Sequence, residues 1–177
     1  MPVLCRLSYS SGNQGMIAKR WRRLAAVGLT TVAVACSSSN GAESPAASPS
    51  GLPTGILRIT TASATIELRV RIAETDDSRR KGLMGVRHLD QDAGMAFVFD
   101  EPVETGFWMK NTLIPLSIAF WDEQRRIVAI REMTPCHEIQ CPLYSPGADY
   151  VGAVEANRGF FSAHDVRPGD QVNLIRG

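Results

Sequence analysis

Two cysteines in a proline-bounded loop, Pro135-Cys136-His137-Glu138-Ile139-Gln140-Cys141-Pro142, have the spacing to do chemistry. They suit either a disulfide or a metal site formed by Cys136, His137 and Cys141. One cysteine pair with one histidine lacks the second half of a four-ligand zinc pattern. Four intervening residues also depart from the two that separate thioredoxin-like redox cysteines. The expectation is a Cys136–Cys141 disulfide with no metal at His137, closing a small loop worth about 2 kcal/mol in the chain-entropy model. Ile139 could then turn inward while His137, Glu138 and Gln140 face water. A second candidate is the run Phe107-Trp108-Met109-Lys110-Asn111. Read as a strand, it sends Phe107, Met109 and Asn111 to one face and Trp108, Lys110 and Thr112 to the other. An indole beside a cation can take a sugar ring or an anionic polymer, and it is also ordinary packing. Trp108, Lys110 and Asn111 are the candidate ligand-binding residues. Ser117 with His137 or His164 and Asp122 forms a catalytic triad on paper only, because no nucleophile motif surrounds them. His88 and His164 lie in polar surroundings near turns, where surface positions are expected. No phosphate loop, dinucleotide fingerprint, paired-carboxylate motif or metalloprotease helix is present, so neither a cofactor nor catalysis is expected.

Cys36 has a different chemistry. It follows the basic cluster Lys19, Arg20, Arg22, Arg23 and the apolar stretch from Leu24 to Ala35. That stretch falls short of the roughly 20 residues that span a bilayer, and with its charged start and small end it describes an export signal. Ala33-Val34-Ala35-Cys36 resembles the lipobox of bacterial lipoproteins, whose cysteine is acylated and becomes the first residue of the mature chain. Residues 1–35 are therefore read as the signal, with Met16 an alternative start and Cys5 ahead of it. Arg22-Arg23 leaves both general and twin-arginine export open. Residues 36–54 are read as the acylated cysteine and a Ser/Ala/Pro/Gly tether with too little apolar surface to fold. The expected location is the outer face of the bacterial cytoplasmic membrane, reached through the lipid.

The remaining residues, 55–177, are long enough for one domain. A formal net charge of +1 at pH 7 gives no electrostatic case for nucleic acid as a partner. Strict alternation in Ile66-Glu67-Leu68-Arg69-Val70-Arg71-Ile72 predicts a strand with one buried face. Asp76-Asp77-Ser78 offers N-cap chemistry for a short helix ending near Gly82. Further strands are predicted over 94–99, 107–111, 116–121, 127–130, 150–155 and 171–175. Residues 122–125 make a hairpin turn, and a helical turn falls within 157–164. Many short strands with one or two short helices argue an all-β or β-dominated α+β fold, a compact sandwich or barrel of mostly antiparallel strands.

Four blocks carry a family resemblance: Arg80-Lys81-Gly82-Leu83-Met84, Gly94 to Phe99, Phe107 to Leu116, and Pro135-Cys136 with Cys141-Pro142. Over about residues 56–176 the chain resembles the prokaryotic family known as domain of unknown function 192. That resemblance implies a compact β-dominated fold and frequent export or membrane association, with no activity to carry over. The chain has Ser117 where the resemblance leads one to expect Asp, and its 122–125 turn lacks the usual Gly. Together these features lead to the expectation of a non-catalytic extracytoplasmic lipoprotein that binds a cell-envelope component or protein partner. An envelope hydrolase acting on glycan or peptide, or a purely structural protein, is the alternative.

Overall fold

A computed structural model describes residues 51–177. The export signal, Cys36 and most of the tether lie outside the described residues. The strands are β1 (Thr54–Thr60), β2 (Thr65–Ala73), β3 (Ala93–Val103), β4 (Phe107–Trp108), β5 (Leu116–Trp121), β6 (Ile127–Met133), β7 (Leu143–Tyr144), β8 (Tyr150–Asn157) and β9 (Gln171–Arg176). Two short helices, α1 (Asp76–Lys81) and α2 (Phe160–Ala163), interrupt them. Leu52 packs against the core and the Pro53 carbonyl accepts from Ile72 N–H, so the domain is engaged just ahead of β1.

Seven strands form one sheet in the order β6-β5-β8-β3-β2-β1-β9, and β4 pairs with β7 apart from it. Neighbours are antiparallel except β2 and β3, which α1 separates in the chain. A parallel pair needs such a crossover, because a two-residue hairpin cannot join its ends. The sheet curls into a half-barrel. Its two edge strands meet at one end: Val172 N–H donates to Arg125 O at 2.7 Å and Ile127 N–H donates to Asp170 O at 2.9 Å. The hairpin turn between β5 and β6 does without glycine by placing Arg125 at φ 60°.

The alternation read in β2 has a physical counterpart, since Leu68, Val70 and Ile72 are buried with Leu57 and Ile59 of β1. Phe160 and Phe161 of α2 pack into the same cluster. Gly152 of β8 is required there, because a Cβ would overlap the indole of Trp121. A second cluster lies on the other face of β3, β8 and β5. Met95, Phe97, Ile118, Phe120 and Ala153 are buried there beneath Leu83, Met109 and Cys136 from the connecting segments.

Two local expectations need correction. The N-cap of α1 is Thr75, not the Asp76–Ser78 segment: Thr75 Oγ1 accepts from Ser78 N–H, and Ser78 Oγ accepts from Thr75 N–H. Both side chains thus satisfy amides that the helix leaves free. The expected strand over 107–111 stops at Trp108, because Asn111 takes φ 57° and turns the chain. The face assignment survives that turn for Met109, which is buried, and fails for Asn111, which is exposed, and for Thr112, which is buried.

Candidate ligand site

Three polar or charged side chains are buried among the described residues: Thr112, Ser117 and Glu155. Ser117 is fully satisfied. Its hydroxyl donates to Glu132 Oε1 at 2.7 Å and accepts from Gly159 N–H at 2.8 Å. That engagement, with His137 and His164 exposed at the surface, removes the paper triad built on Ser117. Thr112 and Glu155 differ: each is 5% exposed and its side chain bonds no other described side chain or backbone group, and since no sealed side-chain polar atom among the described residues lacks a partner, their polar atoms keep an opening to solvent. Both line one pocket of about 270 Å³.

The sheet register explains why Glu155 sits there. It pairs with Met95 of β3 and Ile118 of β5, so its side chain shares their face and not that of Val154 and Ala156. The aromatic wall of the pocket includes Phe97, Phe107 and Trp108, with the Phe97 and Phe107 rings edge to face at 4.9 Å. Such edge contacts fix ring orientation beyond what burial alone would do. Burial pushes the Glu155 carboxyl up to about 8, so at pH 7 it holds its proton. It can then donate one hydrogen bond and accept others.

Basic residues at the end of α1 reach the same pocket. Arg79 is engaged: it donates to Glu74 O and Val98 O, pairs with Asp76 at 2.6 Å, and lies over the Phe99 ring at 4.9 Å. Arg80 pairs with Asp77 at 2.8 Å on the exposed helix surface. Lys81 makes no ion pair among the described residues.

The blocks that carry the family resemblance are stitched together over this face. Gly85 N–H donates to Asn111 O at 3.0 Å, Cys136 N–H donates to Met109 O at 3.3 Å, and Lys110 bridges to Cys136. Trp108 pairs with Leu143 across β4 and β7. The disulfide between Cys136 and Cys141 is present, with 5.8 Å between Cα atoms. Ile139 is 95% exposed and does not turn inward, because a loop this short has no room to bury its tip. Among the described residues no three His, Cys, Asp or Glu side chains are grouped to hold a metal ion.

Of the sequence candidates, Trp108 lines the pocket and is 44% exposed. Lys110 lies over its ring at 5.7 Å but outside the pocket wall, and Asn111 contributes its backbone turn. Glu155 and Thr112 were missed. A lone carboxylate inside the apolar run Val151-Gly152-Ala153-Val154-Glu155-Ala156 was the available signal, since an acid has no reason to sit in a central strand unless something uses it.

The family model for DUF192, described as an uncharacterized ACR, matches residues 57–174. A protein of unknown function from Novosphingobium aromaticivorans DSM 12444 is similar in structure and sequence. It is 31% identical, with a TM-score of 0.66, over 75% of this chain and 94% of that one. A protein from Sinorhizobium meliloti 1021, provisionally assigned as a transcription regulator, is 30% identical with a TM-score of 0.65. That match covers 70% of this chain and 95% of that one. No curated protein is significantly similar. A match over most of the described domain, with two solved structures at 30% identity or above, means that the chain belongs to the DUF192 family.

Proposed function

We propose that the chain is an exported lipoprotein, held by acylated Cys36 at the outer face of the bacterial cytoplasmic membrane. Its domain acts there as a non-catalytic module that binds a small component of the cell envelope in the pocket over Glu155. The observation that supports this most is the placement of two nearly buried polar side chains, Glu155 and Thr112, in one aromatic-walled pocket. Their polar atoms open to the pocket rather than being sealed in the core, which leaves them available to a ligand bound there.

An enzyme needs reacting side chains in mutual reach. The pocket residues that meet that condition are Asp76 and Arg79, a helix-surface ion pair, and Glu155 bonds to neither. This favours binding over hydrolysis. A volume near 270 Å³ sits at the small end of ligand pockets, roughly 300–1,000 Å³, and fits one small molecule better than a polymer segment.

Thermal unfolding of the full chain with amino sugars, stem-peptide amino acids and lipid headgroup compounds tests the pocket. A compound that raises the melting temperature of the wild type, and not of Trp108→Ala, is the expected result. Turnover of any of them, or an equal shift in Trp108→Ala, would overturn the binding assignment. Cell fractionation with lipid labelling tests the anchor: Cys36→Ser should lose the acyl label and leave the membrane fraction, and a wild type without label would reject lipidation.

A further inference from the structure

The polar groups of the pocket are separated by depth, and that separation identifies a ligand class. Glu155 and Thr112 are buried, whereas Arg80 and Lys81 are exposed at the opening. Burial raises the Glu155 carboxyl above the ordinary carboxylate range. The same pocket is walled by the rings of Phe97, Phe107 and Trp108. A carboxyl among aromatic rings recognises an amine, because the ring faces attract a cation and the carboxylate gives it a charge-assisted hydrogen bond. Lys81, which makes no ion pair among the described residues, and Arg80, whose partner Asp77 is itself fully exposed, offer the complementary partner for an anion.

The geometry points to a small zwitterion of the phosphoethanolamine type as the ligand, its ammonium over Glu155 and Thr112 and its phosphate at Arg80 and Lys81. This rests on the pocket being a binding site, as proposed above. At pH 7 the free carboxyl is protonated, so pairing with an ammonium sends its proton to the buffer. The groups facing Glu155 are Met95 and Phe97 from β3, Ile118 from β5, Trp108 from β4, and Thr112 from the segment after it. Asp76, Arg79, Arg80 and Lys81 come from α1. Only the α1 residues are charged.

The zwitterion has two sources, a lipid headgroup or a free compound. Trp108 and its cross-strand partner Leu143, 68% exposed, flank the opening with apolar surface, which suits contact with a membrane interface.

Titration calorimetry of the full chain with O-phosphoethanolamine at pH 7, in two buffers of different ionisation enthalpy, tests the assignment. Binding with release of close to one proton per ligand is expected. Glu155→Gln should weaken binding by about tenfold or more and abolish the proton release. Lys81→Ala, at an exposed site with no fold to disturb, should weaken it several-fold and leave the release intact. Either source supports the proposal: flotation with phosphatidylethanolamine vesicles, but not phosphatidylglycerol vesicles, competed by O-phosphoethanolamine, identifies the headgroup. Binding of the free compound without flotation identifies a soluble zwitterion. No binding, equal affinity for inorganic phosphate, or binding without proton release would overturn it. Binding of N-acetylglucosamine instead, lost in Trp108→Ala, would overturn the zwitterion and leave the pocket standing as the site.

Discussion

Inside the curled sheet, Leu57, Ile59, Leu68 and Ile72 are fully buried with Phe161 of α2, and beside α2 the buried Ser117 both donates and accepts. On the outer face of β3, β8 and β5, the loops cover a cluster of similar side chains but leave Glu155 and Thr112 opening into a pocket. One sheet thus has one face closed by its own chain and another left incomplete by it. Complementarity on the first face builds stability; the pocket left on the second is where an outside molecule fits.

The largest expected break in that comparison comes from the closed face. Phe161→Ala should lose about 3–5 kcal/mol in urea unfolding, as for deletion of a buried aromatic ring. A loss as small as that of a surface change would mean that α2 is no part of the core. The open face should respond to pH instead. Folding raises Glu155 from an ordinary 4.5 to about 8, so the folded state holds a proton that the unfolded state has released. This contribution is full below about pH 4.5, declines as pH rises to about 8, and is flat above it. Urea midpoints between pH 5 and 9 should fall through that window in the wild type, and the Glu155 part of the fall should vanish in Glu155→Gln. Cys136→Ser should cost about 2 kcal/mol through the lost loop constraint, since only five positions separate the cysteines. Alkylation and mass measurement of the unreduced protein should find no free thiol at Cys136 or Cys141 in the wild type. Smallest is Thr75→Ala, which removes one half of the reciprocal cap of α1 and should cost about 1 kcal/mol.

The two faces were also unequally legible in the sequence. β2 could be read from alternation because one of its faces carries Glu67 and Arg69 to solvent, which makes the period visible. β8 could not be resolved in the same way. It lies between β3 and β5 and is covered on both sides, so its buried residues run together and Glu155 looks like an interruption rather than the floor of a site. The 107–116 block showed the family and the indole, while its turn at Asn111 depends on a tertiary hydrogen bond from Gly85 that no local pattern encodes. The helix start was displaced because Asp76 and Asp77 are good cap residues by type, and the reciprocal bonds of Thr75 and Ser78 took that role.

The position of β9 has a consequence for how this domain is made. It is the last strand in the described chain, yet it covers the free edge of β1, the first, and carries the hydrogen bonds that tie that edge to β6. During synthesis every other strand emerges before β1 acquires its outer neighbour. A nascent chain stalled anywhere before Gln171 would expose the backbone of Thr54–Thr60 as a template for pairing with another chain. Long-range pairing of this kind also sets a slow final step, so the growing polypeptide stays open to chaperones until its closing strand arrives.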